Sequence, residues 1–168
     1  VIIRGKNDSE ILPLAEFARQ TGISMRFIEF MPLDSGKFWK RENIVSGREI
    51  FQIINTKFPL ILKQKNRGAE TAWNYNFADG TRGEIGIIAS VTESFCGQCS
   101  RIRLTADGQI RTCLFSTIEH NLREVIRSGA NRLEIIEFIK QTVYQKEYRH
   151  SINQNSFQQP ARTMSLIG

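Results

Sequence analysis

The chain has 168 residues, of which 40% are hydrophobic and 24% are charged, and these proportions are ordinary for a soluble globular protein. Its formal net charge of +6 permits a polyanionic ligand but does not require one. No run of about 18 apolar residues and no secretory leader is visible, so we expect neither a transmembrane helix nor export. Because the sequence begins at Val1 without Met, we expect a fragment of a longer protein.

The first thirty residues predict a strand–helix–strand unit. Residues 1–3 have the composition of the end of a buried strand, and apolar residues from Ile11 to Ala18 recur at helical spacing before the C-cap glycine Gly22. Residues 23–30 are rich in β-branched and aromatic side chains and predict a second strand. Since a helix joins the two strands, we expect parallel pairing, as in the last unit of a larger α/β sheet or barrel.

Turn and cap signals organise the rest of the first half. Residues 31–37 would close the strand at the carboxyl edge of the sheet, where α/β proteins bind ligands. Ser46 and Glu49 have the spacing of a capping box and predict the start of a second helix. Residues 60–62 predict a short strand.

The second half predicts two hairpins and two helices, as expected for an α+β domain. Each hairpin turns at an Asp-Gly pair, which favours tight turns. The predicted elements are a hairpin of residues 71–77 and 82–89, a second of residues 101–105 and 109–115, and helices over residues 119–127 and 132–146. The tail from residue 147 is expected to be irregular. The resulting domain division is 1–36 and 37–168.

The three cysteines of the chain, Cys96, Cys99 and Cys113, have the spacing C-x2-C-x13-C. A two-residue gap lets both sulfurs face one ion or cluster, and the hairpin turn would return Cys113 toward the first pair. An odd number of cysteines argues against a secreted disulfide framework and favours the reducing cytoplasm. The pattern therefore predicts three ligands of one metal centre with a fourth position open.

Three interpretations of the cysteines compete. A structural zinc ion needs four ligands, and His120 and His150, the only histidines, lack the usual short spacing from Cys113. Three cysteines with no fourth ligand suit a [4Fe–4S] cluster with one open iron. The remaining interpretation is three buried thiols, which is a poor match for cysteines clustered in a turn rich in glycine and arginine.

Arginines accompany the cysteines. Arg101 and Arg103 alternate along the predicted strand beside Cys99, and Arg111 lies on the facing strand. A pair of guanidinium groups suits bidentate contact with phosphate oxygens. An exposed strand with ordinary arginines is the alternative, but the adjacent cysteines favour an anion-binding role.

At this point the sequence resembles a known family, the GTP 3′,8-cyclases. These are radical S-adenosylmethionine (SAM) enzymes that begin molybdenum-cofactor (molybdopterin) biosynthesis. The resemblance rests on Phe-Cys-Gly-Gln-Cys-Ser-Arg-Ile-Arg-Leu at residues 95–104 with Cys113, on Arg-Phe-Ile-Glu-Phe-Met-Pro at residues 26–32, and on the tail at residues 162–168. It extends over the whole chain.

The resemblance implies a fold and a chemistry. The family has an incomplete TIM-type barrel whose N-terminal [4Fe–4S] cluster cleaves SAM to a 5′-deoxyadenosyl radical. A second [4Fe–4S] cluster binds GTP, which is converted to (8S)-3′,8-cyclo-7,8-dihydroguanosine 5′-triphosphate by this lyase. A cyclic pyranopterin monophosphate synthase uses the product, and a homodimer is common. The fold class implied here is the last βαβ unit of that barrel followed by an α+β domain.

The resemblance also implies roles for individual residues. Cys96, Cys99 and Cys113 would ligate the second cluster. The segment Arg101-Ile102-Arg103 would contact GTP. Met31, at the carboxyl end of the last barrel strand, would contact SAM, and an ordinary core position is the alternative for this residue.

The sequence departs from the family because the radical-generating C-x3-C-x2-C motif is absent, together with most of the barrel. The family tail usually ends in two glycines, and here only Gly168 is present. We therefore expect the isolated chain to be inactive in GTP cyclisation and to have no catalytic residue of its own.

Two other functions remain open. The first is a non-catalytic iron–sulfur module that binds a nucleotide. The second is a zinc-containing nucleic-acid binder, although aromatic residues such as Phe17, Phe51 and Phe138 fall at core-like positions and not along a basic stripe. We expect no membrane partner and, on the leading interpretation, no nucleic-acid partner.

The remaining candidates have no predicted site role. Asp34, Asp79 and Asp107 are expected to form turns. The sequence assigns no function to four other ionisable residues, namely Glu84, Glu93, His120 and His150.

Overall fold

A computed structural model describes residues 1–33, 38–160 and 162. In these residues the fold is mixed α/β, with four α-helices and two sheets. The helices are α1 (Ile11–Thr21), α2 (Gly47–Lys57), α3 (Leu122–Arg127) and α4 (Arg132–Tyr144). The strands are β1 (Ser24–Ile28), β2 (Leu60–Leu62), β3 (Trp73–Phe77), β4 (Glu84–Ile88), β5 (Arg103–Leu104), β6 (Gln109–Arg111) and β7 (His120–Asn121).

The chain divides into two compact units. The first unit contains Val1–Met31 and Trp39–Gln98, and the second contains the described residues of Pro32–Phe38 and Cys99–Gly168. Each unit has its own sheet and its own two helices. The predicted division into residues 1–36 and 37–168 refers to the barrel of a longer protein and stays a prediction.

The sheet of the first unit has the strand order β1-β4-β3-β2. Strands β2, β3 and β4 form an antiparallel meander, which confirms the predicted hairpin with its turn at Asp79-Gly80. Strand β1 pairs in parallel with β4, a partner that the sequence did not indicate. The expected strand at residues 1–3 is reduced to a parallel bridge between Ile2 and Glu29, with the Ile2 amide donating to the Ile28 carbonyl at 3.0 Å.

The helices α1 and α2 pack against the apolar face of this sheet. Their periodic side chains enclose one hydrophobic core with β1, β3 and β4, which explains the helical spacing seen in the sequence. The approach of α2 to the sheet requires a glycine, because a Cβ atom on Gly47 would lie 2.7 Å from the Cβ of Ala89. The core residues are Ile2, Ile11, Ala15, Ala18, Phe27, Val45, Ile50, Ile54, Phe77, Ile85 and Ile87.

The predicted ends of these helices are largely confirmed. Helix α1 ends at Gly22, whose φ of 77° is left-handed. Helix α2 begins after Ser46, whose hydroxyl accepts a hydrogen bond from the Glu49 amide at 3.2 Å. The carboxylate of Glu49 does not complete the capping box but pairs with Arg4 at 2.6 Å.

The second unit is built on the antiparallel sheet β5-β6-β7. The predicted second hairpin is present and turns at Asp107-Gly108, but its strands are shorter than expected. Helix α3 begins at Leu122 and not at residue 119, because His120–Asn121 pairs with β6 as the third strand. Helix α4 begins with a full capping box between Asn131 and Glu134.

Two groups of sequence predictions lie outside the described residues: the turn at Asp34 and the tail at residues 163–168. In the part of the chain that the structure describes, no helix combines the length and the apolar character needed to cross a membrane.

Candidate functional site

The three cysteines lie in short irregular segments between regular elements. Cys96 is in a single 3-10 turn, Cys96–Gln98, at the end of the first unit. Cys99 follows that turn, and Cys113 lies two residues beyond β6, both in the second unit. All three are half-buried thiols outside any disulfide. No group of three or more His, Cys, Asp or Glu side chains is arranged for metal binding among the described residues.

The thiol of Cys99 is surrounded by positive charge. A guanidinium nitrogen of Arg101 donates to its Sγ atom at 3.3 Å. Burial alone raises the pKa of Cys99, but hydrogen bonds from the backbone and side chain of Arg101, with the charges of Arg101 and Lys146, outweigh burial and lower that pKa. The site therefore favours a thiolate, the form in which cysteine binds metal.

Arg103 is the second predicted arginine of the site, and it lies close to both Cys99 and Cys113. Burial lowers the pKa of its guanidinium, the two cysteines oppose that shift, and Arg101 and Arg111 add to it. In the hairpin register Arg103 stands directly opposite Arg111. Like charges directly opposite each other are destabilising, and the Glu119 carboxylate, 3.2 Å from the Arg111 guanidinium, offsets the charge of Arg111.

Arg111 is not available to a ligand. Its side chain is only 2% exposed and donates to the carbonyl oxygens of Ser116 and Leu114, and to the Glu119 carboxylate at 3.2 Å. It thus holds the loop that follows Cys113. The expectation that Arg111 lies on the facing strand is confirmed, and its role in the second unit is to support the loop.

Two residues just after α4 join the site without any sequence signal, since the helix predicted over residues 132–146 ends at Tyr144. The ammonium group of Lys146 donates to the Arg101 carbonyl at 2.9 Å and to the Thr112 carbonyl. The next residue, Glu147, accepts a hydrogen bond from the Thr112 hydroxyl at 2.6 Å. Burial raises the pKa of Glu147, but hydrogen bonds from Ser116 and Thr112 outweigh it and lower that pKa.

A cavity of about 290 Å³ opens beside Cys113 in the second unit. Its lining includes Phe115 and His150, whose rings meet edge to face at a centroid distance of 5.1 Å. No partner for His150 could be predicted from the sequence, and the structure places this residue in the same cavity as Cys113. His120, by contrast, lies in β7.

The other predicted site residues have simple environments. Ile102 is 42% exposed, as a residue that contacts a ligand from the hairpin needs to be. Met31 is half-buried after the end of β1. Glu84 pairs with Lys63 at 2.5 Å. Glu93 lines a separate cavity of about 270 Å³ in the first unit. The pKa of Tyr75 is raised mainly by burial and further by the negative charge of Glu93.

Glu29 is a buried carboxylate that the sequence analysis did not single out. It is 0% exposed and directly follows β1. Its oxygens accept hydrogen bonds from the amides of Gly47 at 2.7 Å, Val91 at 2.8 Å and Thr92 at 2.9 Å, and from the Thr92 hydroxyl at 2.5 Å. It thereby fixes the first turn of α2 and the loop after β4 within the first unit.

The turn aspartates form turns as predicted. Asp79 bonds Thr81 and pairs with Arg19, and these contacts lower its pKa to about 2. Asp107 binds Arg162 at 2.8 Å, which, with the Thr105 hydroxyl, lowers its pKa to about 2. Arg162 also pairs with Glu119 at 2.7 Å.

The fold and the site together define a class: a mixed α/β protein whose second unit gathers cysteine thiols and arginines on a hairpin. Residues 23–152 match the family described as Molybdenum Cofactor Synthesis C, and the chain belongs to this family.

Curated relatives match the whole chain. It is 43% identical over 172 residues to the GTP 3′,8-cyclase of Corynebacterium glutamicum (strain R), covering 100% of this chain and 46% of that protein. It is 41% identical over 168 residues to the GTP 3′,8-cyclase of Rhodopirellula baltica, covering 99% and 47%. It is 37% identical over 171 residues to molybdenum cofactor biosynthesis protein 1 of Dictyostelium discoideum, covering 100% and 27%. The chain thus spans less than half the length of these relatives.

Proposed function

We propose that this chain is the substrate-binding C-terminal part of a GTP 3′,8-cyclase in molybdenum-cofactor biosynthesis. The observation that carries the proposal is the position of Arg103, which lies near two thiols, Cys99 and Cys113, and opposite a second arginine. Such a group suits a thiolate-bound centre with an anionic ligand. The relatives named GTP 3′,8-cyclase supply the identity of that ligand.

We further propose that Cys96, Cys99 and Cys113 hold a [4Fe–4S] cluster. The donor chemistry fits: all three are thiols outside disulfides, and the Cys99 thiol has a lowered pKa beside Arg101 and Lys146. Nearby cations offset the negative charge that three thiolates bring. When bound, a cluster with three protein ligands supplies one open iron to which a substrate atom can bind.

The segment Arg101-Ile102-Arg103 would recognise GTP. Guanidinium groups bind phosphate oxygens through bidentate, charge-assisted hydrogen bonds. A triphosphate beside Arg103 would offset the positive charge that Arg101 and Arg103 bring together. The exposed side chain of Ile102 would provide apolar contact between the two arginines.

The remaining parts of the proposal concern the longer protein. Its N-terminal part would supply the rest of an incomplete TIM-type barrel and a second [4Fe–4S] cluster that generates the SAM radical. Met31 would contact SAM at the end of β1. The product would pass to cyclic pyranopterin monophosphate synthase, the enzyme would work in the reducing cytoplasm, and a homodimer stays a prediction. This chain alone would not cyclise GTP.

The first experiment is anaerobic reconstitution of the 168-residue chain with iron and sulfide. We expect about four irons and about four acid-labile sulfides per chain, as a [4Fe–4S] cluster requires, and an EPR spectrum that changes when GTP is added. A cluster whose EPR spectrum does not change when GTP is added would contradict GTP binding and favour a non-catalytic iron–sulfur module. Zinc without sulfide would contradict the proposal and favour the zinc-containing nucleic-acid binder.

A pair of arginine variants tests the ligand. Arg103→Met should weaken GTP binding to the reconstituted chain about 10- to 100-fold, because hydrogen bonds to charged groups contribute about 1.5–3 kcal/mol. Arg127→Met is the matched control, since Arg127 is an exposed residue of α3. Equal GTP affinity in the two variants would remove Arg103 from the binding site.

A further inference from the structure

The hairpin between Cys99 and Cys113 is held at its open end by a residue from the segment that follows α4. The antiparallel pairing of β5 with β6 covers only Arg103↔Arg111 and Leu104↔Ile110. Continued one and two steps outward, the register would bring Ile102 and then Arg101 opposite Thr112 and Cys113. The described strands stop short of these positions, so the pairing ends just where the two arms lead to Cys99 and Cys113.

Lys146 bridges the two arms beyond the end of the pairing. Its ammonium group donates to the carbonyl of Arg101, two residues after Cys99, and to the carbonyl of Thr112, the residue before Cys113. Two carbonyl oxygens from facing arms repel each other unless a donor lies between them. An ammonium group has three donors, so one side chain satisfies both oxygens.

Glu147, the residue after Lys146, makes a second contact with Thr112. Its side chain is 1% exposed, and its hydroxyl donates to the Glu147 carboxylate at 2.6 Å. Lys146 and Glu147 therefore bind the backbone and the side chain of one buried residue next to Cys113. These contacts tie the residue before Cys113 to the segment that follows α4.

From this geometry we propose that Lys146 is a positioning residue that holds the Cys99 and Cys113 arms at the spacing needed to bind one cluster. The inference rests on the proposed cluster, and it assigns to the segment just after α4 the task of setting the ligand geometry. The positive charge of Lys146 would also favour the reduced cluster, because an ammonium group next to thiolates stabilises an added electron. Lys146 acts through the backbone and need not touch the cluster.

The test compares four versions of the 168-residue chain after anaerobic reconstitution with iron and sulfide: wild type, Lys146→Met, Lys146→Arg and Lys140→Met. Methionine keeps an unbranched stem but has no donor, and arginine can still donate to both carbonyls. Lys140 is an exposed lysine of α4, the helix that precedes Lys146, and provides the matched control. The measurements are the rate of iron loss to a chelator, the EPR spectrum and the reduction potential.

We expect Lys146→Met to lose iron at least about tenfold faster than wild type, with a broadened EPR spectrum and a more negative reduction potential. A role confined to folding would not move the potential of the clusters that remain. Lys146→Arg should restore the retention and the potential, and Lys140→Met should match wild type. A Lys146→Met protein with wild-type retention, spectrum and potential would overturn the inference.

Two further results separate this inference from the proposed function. If wild type itself binds no cluster, the proposed function fails, and the inference fails with it. If Lys146→Met does not fold, as judged by circular dichroism, then Lys146→Gln decides, because its amide reaches toward one carbonyl only. An intermediate rate of iron loss for Lys146→Gln supports the inference, and a wild-type rate contradicts it.

Discussion

The two units of the chain are stabilised by different interactions. The core of the first unit is aliphatic and aromatic, with α1 and α2 packed on one face of its sheet. Among the described residues of the second unit, the buried apolar residues are Pro32, Leu33, Ile110, Ile152 and Pro160, and five buried residues are polar or charged. These five are Thr105, Arg111, Thr112, Ser116 and Thr142.

The difference between the two interiors explains why the second unit is the better place for a ligand-binding site. A sheet covered by aliphatic side chains is stable without ligands, but it offers few polar groups to bind one. The interior of the second unit instead contains hydrogen-bonded and charged side chains around the hairpin between Cys99 and Cys113. Since hydrogen bonds contribute less net stability than apolar burial, we expect this unit to gain most from a bound cluster.

Loss of a proposed ligand should have the largest effect. We expect Cys99→Ser to abolish cluster binding and, with it, the thermal stabilisation of the second unit on reconstitution. The measurements are iron content and differential scanning calorimetry of apo and reconstituted protein. The reverse result, in which Cys99→Ser binds as much iron as wild type, would exclude Cys99 as a ligand.

In the first unit, a cavity in the core should be the most costly change. Ile54→Ala removes a fully buried side chain of α2 and should lower the free energy of unfolding by about 3–4 kcal/mol. Urea denaturation of the chain without iron and sulfide measures this loss. A free energy of unfolding equal to that of wild type would contradict the close packing of Ile54 in the core.

In the second unit, the matching change is the replacement of Arg111, whose guanidinium group is buried. Arg111→Met should destabilise this unit by about 3 kcal/mol, because it leaves the carbonyls of Leu114 and Ser116 without their donor. Hydrogen exchange should show lost protection in β6 and β7 and unchanged protection in α1. Uniform loss of protection across both units would contradict the comparison.

Glu29 is the one buried charged residue of the first unit, and its replacement tests whether a polar contact also stabilises that unit. Glu29→Gln should cost about 2 kcal/mol, because an amide NH₂ would face backbone donors such as the Gly47 and Val91 amides. Thermal unfolding of the variant and of wild type at neutral pH measures the difference. A variant as stable as wild type would mean that the carboxylate does not organise the start of α2.

The smallest effects should come from the turn aspartates, one in each unit. The pKa of both Asp79 and Asp107 is lowered from 3.8 to about 2, so the stability that each contributes is present above pH 3.8 and disappears as the pH falls toward 2. Asp79→Asn and Asp107→Asn should each lower the melting temperature slightly at pH 6. The differences from wild type should vanish below pH 2, where the carboxyls of the folded protein are protonated, and differences that persist there would exclude the carboxylate charge as their cause.

Much of the fold could be predicted because its signals are local. The spacing of apolar residues from Ile11 to Ala18 and the glycine at position 22 define α1, and Ser46 defines the start of α2. The Asp-Gly turns define both hairpins. The error at α3 has the same origin: residues 119–121 fit a helical pattern, but β6 offers an edge to which His120–Asn121 pairs instead.

The site could be predicted only in part. The cysteines and the arginines at 101 and 103 are neighbours in sequence, so their spacing already indicates a shared centre. The burial of Arg111 could not be predicted, because it depends on a loop that folds back over the guanidinium. His150 likewise becomes relevant only because its segment returns to the cavity beside Cys113.

The family, most of the elements and the set of thiols and arginines could be inferred from residues that lie close together along the chain. The pairing of β1 with β4, the contact of Glu29 with the start of α2, and the bridge that Lys146 forms between the arms of the cysteine hairpin appear only in the folded structure. These contacts join residues that are 18 to 60 positions apart in the chain. Their partners are chosen by burial and by the need to satisfy polar groups, and neither condition exists until the chain has folded.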